Sequence, residues 1–114
     1  METMREVNLE LGMPLAADAV RRLTFEVHHS KALHCTVLQS IHGYSSSGKG
    51  GKIRLAARER LDFLQKKREI RGYIPGEAFS IFDEQTRAAF LVCPELRKDR
   101  DLNRSNNGVT FILL

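Results

Sequence analysis

An α/β layer fold is what this sequence predicts, and three observations predict it. A stretch of period two is followed by a helical pattern, a β-leaning apolar run and a second helical pattern. That rhythm of strand, helix, strand, loop and helix belongs to an α/β fold. A crossover helix between the first two strands makes them parallel neighbours with a right-handed connection. The chain then closes on a third unambiguous strand, Val109-Thr110-Phe111-Ile112-Leu113-Leu114, which is expected to dock into the sheet.

The elements follow in order. From Arg5 to Leu11, Val7, Leu9 and Leu11 alternate with Asn8 and Glu10, a strand pattern that Gly12 stops. Pro14 suits the first turn of a helix. Ala16, Ala19, Val20, Leu23 and Val27 then recur at helical spacing, so the first helix is expected from about Pro14 to Ser30. Leu33 to Ile41 reads as a largely buried strand. Ile53, Ala56, Ala57, Leu61 and Leu64 line a second amphipathic helix that ends near Gly72.

The last third is less regular. Gly72 to Gly76 allows a short strand stopped by Pro75, and Asp83 is placed to cap a helix. Phe82, Ala88, Ala89, Phe90 and Val92 are that helix's expected apolar surface. Lys98 to Gly108 is polar and reads as an exposed turn or loop.

Composition narrows the function classes. A chain of 114 residues, 42% hydrophobic and 28% charged, is expected to form one domain, residues 1–114. No apolar run approaches the ~20 residues of a membrane helix. The N-terminal residues lack a secretory pattern, which makes the cytoplasm the expected location and a membrane no expected partner. Cys35 and Cys93, far apart in sequence, read as buried reduced thiols rather than as a disulfide or zinc site.

Charge is concentrated where the chemistry is expected. The net charge is +4, whereas the segment from Lys49 to Arg71 alone carries +6: nine cations (Lys49, Lys52, Arg54, Arg58, Arg60, Lys66, Lys67, Arg68, Arg71) against Glu59, Asp62 and Glu69. A basic stripe of this kind favours polyanions through phosphate contacts and counterion release. Its alternative reading is a solvated helix face.

Immediately before it lies a glycine-rich loop. Gly43, four residues, then Gly48-Lys49 fits the phosphate-loop spacing, but Gly50 stands where a Ser or Thr would hold magnesium. The loop therefore meets phosphate without the marks of a nucleotide hydrolase, and no nucleotide triphosphate is expected as a partner. Backbone amides of Gly48, Gly50 and Gly51 can line an anion-binding nest, with Lys49 and Lys52 holding the phosphate. Ligands of parallel layers gather beyond the carboxyl ends of the strands. Glu10 and His42 are both expected at that edge. There Glu10 can accept a proton or hold a divalent metal, and His42 can donate to a leaving oxygen. Each also has a plainer role, Glu10 as a solvent-facing strand residue and His42 as a structural hydrogen-bonding residue. Tyr44 can stack on a base or pack on the loop.

Ile41-His42-Gly43 at a strand end, the glycine and lysine loop, Ile53-Arg54 opening a basic helix and the closing Gly108-Val109-Thr110-Phe111-Ile112-Leu113 together resemble the small MutS-related (Smr) domain. The resemblance covers nearly the whole chain. It implies an α/β two-layer sandwich on a four-stranded mixed sheet, similar to the C-terminal domain of translation initiation factor three. It also implies binding of DNA or RNA, with some members nicking DNA or cleaving RNA. His42 and Gly43 match the family's His-Gly, and Gly48, Lys49, Gly50 and Gly51 match its glycine-rich loop. Gly43, Tyr44, Gly48, Lys49, Gly50, Gly51, Lys52, Arg54 and Arg58 are then the nucleic-acid-binding residues, and His42 and Glu10 the catalytic pair. The family's Asp and His at the end of the first strand are replaced here by Val7-Asn8-Leu9-Glu10-Leu11-Gly12, where Glu10 alone supplies a carboxylate. That departure weakens the case for nuclease activity more than the case for binding. Residues 75–107 are longer than the minimal domain has. They motivate the alternative of a protein-interaction module on a repair or ribosomal complex.

Overall fold

The computed structural model describes residues 3–12, 14–43 and 49–114. Among the described residues, four strands and three helices follow one another: β1 (Met4–Asn8), α1 (Ala16–Ala32), β2 (Val37–Ile41), α2 (Lys49–Lys66), β3 (Gly72–Pro75), α3 (Glu84–Val92) and β4 (Val109–Leu113). They build a mixed sheet in the order β1-β2-β4-β3. β1 and β2 are parallel, with Asn8 beside Ile41, and β4 runs antiparallel to both β2 and β3. The fold is α/β, as the sequence pattern predicts, and its four-stranded mixed sheet is the one that the resemblance implies.

Alternation along the strands divides the core in two. Val7, Leu38 and Ile112 face α1 and α2, whose buried residues are Ala19, Leu23, Val27, Ile53, Ala57, Leu61 and Leu64. Val37, Ile74, Val109 and Phe111 face the opposite way, onto Phe79, Ala89, Phe90, Cys93 and Leu96. The segment between β3 and β4 therefore lies against the sheet's second face. Two 3-10 turns, Gly76–Ala78 and Pro94–Lys98, flank α3 there. Burying both faces of the central strands accounts for their near-continuous apolar sequence. Cys35 and Cys93 are both buried thiols.

Element ends differ from the sequence reading for identifiable reasons. β1 stops at Asn8 because the Asn8 side chain accepts a hydrogen bond from the Glu10 amide at 2.9 Å, turning the chain. Leu9 still donates to Ile41 at 2.8 Å and is buried. Leu11, expected on the same face, is 67% exposed. α1 runs on to Ala32 and closes at His34, which has φ +64, so β2 begins at Val37 instead of Leu33. α2 begins at Lys49, four residues before the expected Ile53. It ends at Lys66, and Arg68 with φ +61 turns the chain there.

In the last third, Asp83 caps α3 as expected: its carboxylate accepts from the Thr86 amide and from the Thr86 hydroxyl, both at 2.8 Å. Replacing Asp83 with alanine is expected to lower stability by about 1 kcal/mol. Denaturant unfolding checks this, and an unchanged midpoint would overturn the assignment. Phe82, expected to supply apolar surface to the helix, is instead 85% exposed, one residue outside the cap. The polar stretch 98–108 is anchored as well as turned. Asp101 is buried, accepting from the Gln39 amide at 3.1 Å and the Asn106 amide at 2.9 Å. That pairing satisfies a polar side chain on the otherwise apolar second face of β2.

Candidate functional site

Parallel pairing of β1 and β2 brings Glu10, His42 and Gly43 to one edge of the sheet. β4 arrives there at its first residue, and the Gly108 carbonyl accepts from the amides of His42 and Gly43 at 2.9 and 3.0 Å. Gly43 has φ +72, in the left-handed region that favours glycine. The Glu10 carboxylate lies directly over its Cα, in the space that a side chain at Gly43 would occupy. Glu10 and Gly43 are thus brought together, as expected for a site at the carboxyl ends of the strands.

His42 sits differently from an exposed acid or base. It is fully buried, and both ring nitrogens are engaged. The Gly43 carbonyl, 2.7 Å from Nδ1, can only accept, so Nδ1 carries the proton. Nε2 then accepts from the Thr110 hydroxyl at 2.8 Å. Burial lowers the imidazole pKa from 6.5 to about 4, so the ring is neutral near pH 7.

From Thr110 the network continues outward onto α2. Arg58 Nε donates to the Thr110 hydroxyl at 3.4 Å, and its two terminal nitrogens grip the Glu77 carboxylate at 2.8 and 2.7 Å. Arg54 donates to the same carboxylate at 3.3 Å. The hydrogen bond and charge of Arg58 hold the Glu77 carboxyl at about 2. Thr110 and Glu77 are the two members that sequence reasoning missed. Thr110 has a faint signal, being a hydroxyl inside an apolar terminal strand. Glu77 has none, because only the chain reversal after β3 carries it onto Arg54 and Arg58 of α2.

The remaining residues singled out in the sequence fall on or near the start of α2. Lys49, Gly50, Gly51 and Lys52 form its first turn, with Lys52 exposed and no acid in that turn. Gly50 and Gly51 are therefore helical. Their amides belong to the first-turn donors that no intrahelical carbonyl satisfies. Tyr44 and Gly48 lie outside the described residues. Among the described residues, no three His, Cys, Asp or Glu side chains gather to hold a metal ion. Nor is any helix there long and apolar enough to cross a membrane.

No family model and no curated protein matches this sequence. Among solved structures, the chain is similar to the Smr domain of Thermus thermophilus MutS2. The TM-score is 0.58 at 19% identity, and the superposition covers 96% of each chain. The chain has the Smr fold. In this version of the Smr fold, Glu10 and Gly43 meet at the sheet edge. Behind that edge a chain of hydrogen bonds runs from the Gly43 carbonyl through His42, Thr110 and Arg58 to Glu77. The edge and the middle of α2 are thereby joined.

Proposed function

We propose that this chain is a nucleic-acid-binding Smr-type domain that takes the phosphates of DNA or structured RNA at the start of α2. The observation that carries the reading is the composition of that first turn: two lysines, two glycines and no acid, starting eight residues beyond the end of β2. First-turn amides that no intrahelical carbonyl satisfies and the positive end of the helix dipole favour a phosphate there, and the lysines add charge without demanding one geometry. Contacts of that kind supply affinity and position rather than base recognition. The fold likeness supports the same reading.

In this proposal His42 is a positioning residue. A general acid at neutral pH must hold a proton that it can give away, whereas His42 is neutral, buried and hydrogen-bonded at both nitrogens. It fixes the Gly43 carbonyl and the Thr110 hydroxyl, and through them the orientation of Arg58. Glu10 is the carboxylate at the edge, and Gly43 is the backbone position that admits it. The reading is accordingly of a binder first.

Binding to labelled single-stranded, duplex and branched DNA and to hairpin RNA, followed by anisotropy over a salt series, tests it. Affinity is expected to fall steeply with salt, and Lys49→Ala with Lys52→Ala to cost roughly tenfold near 0.1 M salt and flatten the slope by about 2. Absence of salt-dependent binding to every one of these would sink the reading. It would leave the protein-interaction module, for which exposed Ile81, Phe82 and Leu91 offer apolar surface.

A further inference from the structure

Arg54 and Arg58 are two of the cations expected to meet phosphate, yet both are turned onto one internal carboxylate. Arg58 holds Glu77 in a two-pronged fork, the arrangement in which a guanidinium also holds a phosphate. The arginine side chains are 28% and 16% exposed, and Glu77 is itself 33% exposed, so the cluster is reached from solvent. The cluster is not balanced: two guanidinium charges face one carboxylate, and the imidazole beneath them is neutral. Arg54 also gives Glu77 only one terminal N–H, while its Nε is buried without an acceptor among the described residues. A carboxylate alone leaves this donor set unsatisfied.

We propose that Glu77 is an internal stand-in for phosphate, seated on Arg54 and Arg58 and competing with the nucleic-acid backbone for them. It thereby sets the affinity of the site. This rests on the nucleic-acid reading above and adds to it an affinity-setting residue from the segment between β3 and β4. The Gly76–Ala78 turn that carries Glu77 begins directly after β3. Its side chain is partly solvated, so it can swing outward without breaking the sheet. On leaving, it uncovers the fork of Arg58, which a phosphate fills with the same two hydrogen bonds.

The test compares the full chain with its Glu77→Gln variant on one duplex DNA and one hairpin RNA across a salt series. Glutamine keeps the shape and removes the competing charge. Binding is expected to tighten roughly tenfold near 0.1 M salt, with the salt slope steeper by about 1 to 2, as two cations become available to phosphate. Adding Arg54→Ala to Glu77→Gln is expected to return most of that gain. Glu77→Asp, too short to keep the fork, is expected to show a smaller gain, and it serves if the glutamine variant fails to fold. Equal or weaker binding by folded variants, while the unmodified chain binds with ordinary salt dependence, would overturn the competition and leave a plain structural ion pair. Binding by Glu77→Gln alone would support the competition and confine the nucleic-acid reading to the released state. Silence from all forms would remove both.

Discussion

Substituting alanine for Gly76 is expected to destabilise the protein by roughly 3 kcal/mol, at the upper end of what overpacking costs. Gly76 follows β3 and is buried against the start of β4. A methyl group there would press on the Asn106 carbonyl, and would stand 2.6 Å from Val109 Cγ2 and 2.8 Å from the Val109 carbonyl. Two of those three neighbours are backbone, and Val109 is fixed in the sheet by its pairing with Ile41. A flexible side chain could give way, but a paired strand cannot without losing ladder hydrogen bonds. Denaturant unfolding should show a lower midpoint with an unchanged slope. A loss below about 0.5 kcal/mol would show that β4 and the 76–78 turn are too loosely joined for these contacts to matter. Because Gly76 also carries the turn on which Glu77 stands, the variant is expected to disturb the Arg54 and Arg58 contacts as well.

The second large effect is a loss of stability in mild acid that belongs to His42. Its folded pKa of about 4 lies below the ordinary 6.5, so between those values the unfolded chain binds a proton that the folded one refuses. Stability must therefore fall as pH drops through that window, by about 1.4 kcal/mol per pH unit at most and about 3 kcal/mol in all. Glu77 acts lower down. Its contribution is complete above 4.5 and is lost as pH falls toward 2, so it does not contaminate the range from pH 6.5 to 5. Asp99, whose carboxyl is raised by burial, works in the opposite sense as acid protonates it. Unfolding free energies at pH 7, 6 and 5 check the expectation, together with imidazole resonances followed by NMR. A flat stability profile over that interval, or a His42 ring titrating near 6.5, would contradict the buried neutral imidazole.

These two effects bear on the function as well as the fold. The hydrogen bonds that make His42 costly to protonate also join the backbone of Gly43 to the guanidinium of Arg58. A phosphate that reached Arg58 would thus meet a cation whose position depends on the sheet edge. The same wiring leaves the His42 ring neutral near pH 7 and hydrogen-bonded at both nitrogens, which is why it is proposed above as a positioning residue.

Much of this could be read from the chain alone, because it depends on local periodicity. The period-two run at Val7 and Leu9, the helical spacing of Leu23 and Val27, and the cap at Asp83 are short-range consequences of backbone geometry and side-chain chemistry. Element ends were less legible. Asn8 ends β1 by a side-chain hydrogen bond, and the glycines at 50 and 51 join α2 despite their low helix propensity.

The sequence by itself determined that Ile41, His42 and Gly43 would end a strand and that a basic helix would follow, since strand and helix periods and glycine spacing are written locally. Only the tertiary structure decided which of those residues are free to meet a ligand. Burial made His42 neutral, and the return of the chain after β3 set Glu77 on Arg54 and Arg58. Charge and titration depend on what surrounds a group, and in this protein the deciding neighbours, Thr110 and Glu77, come from strands and turns far along the chain.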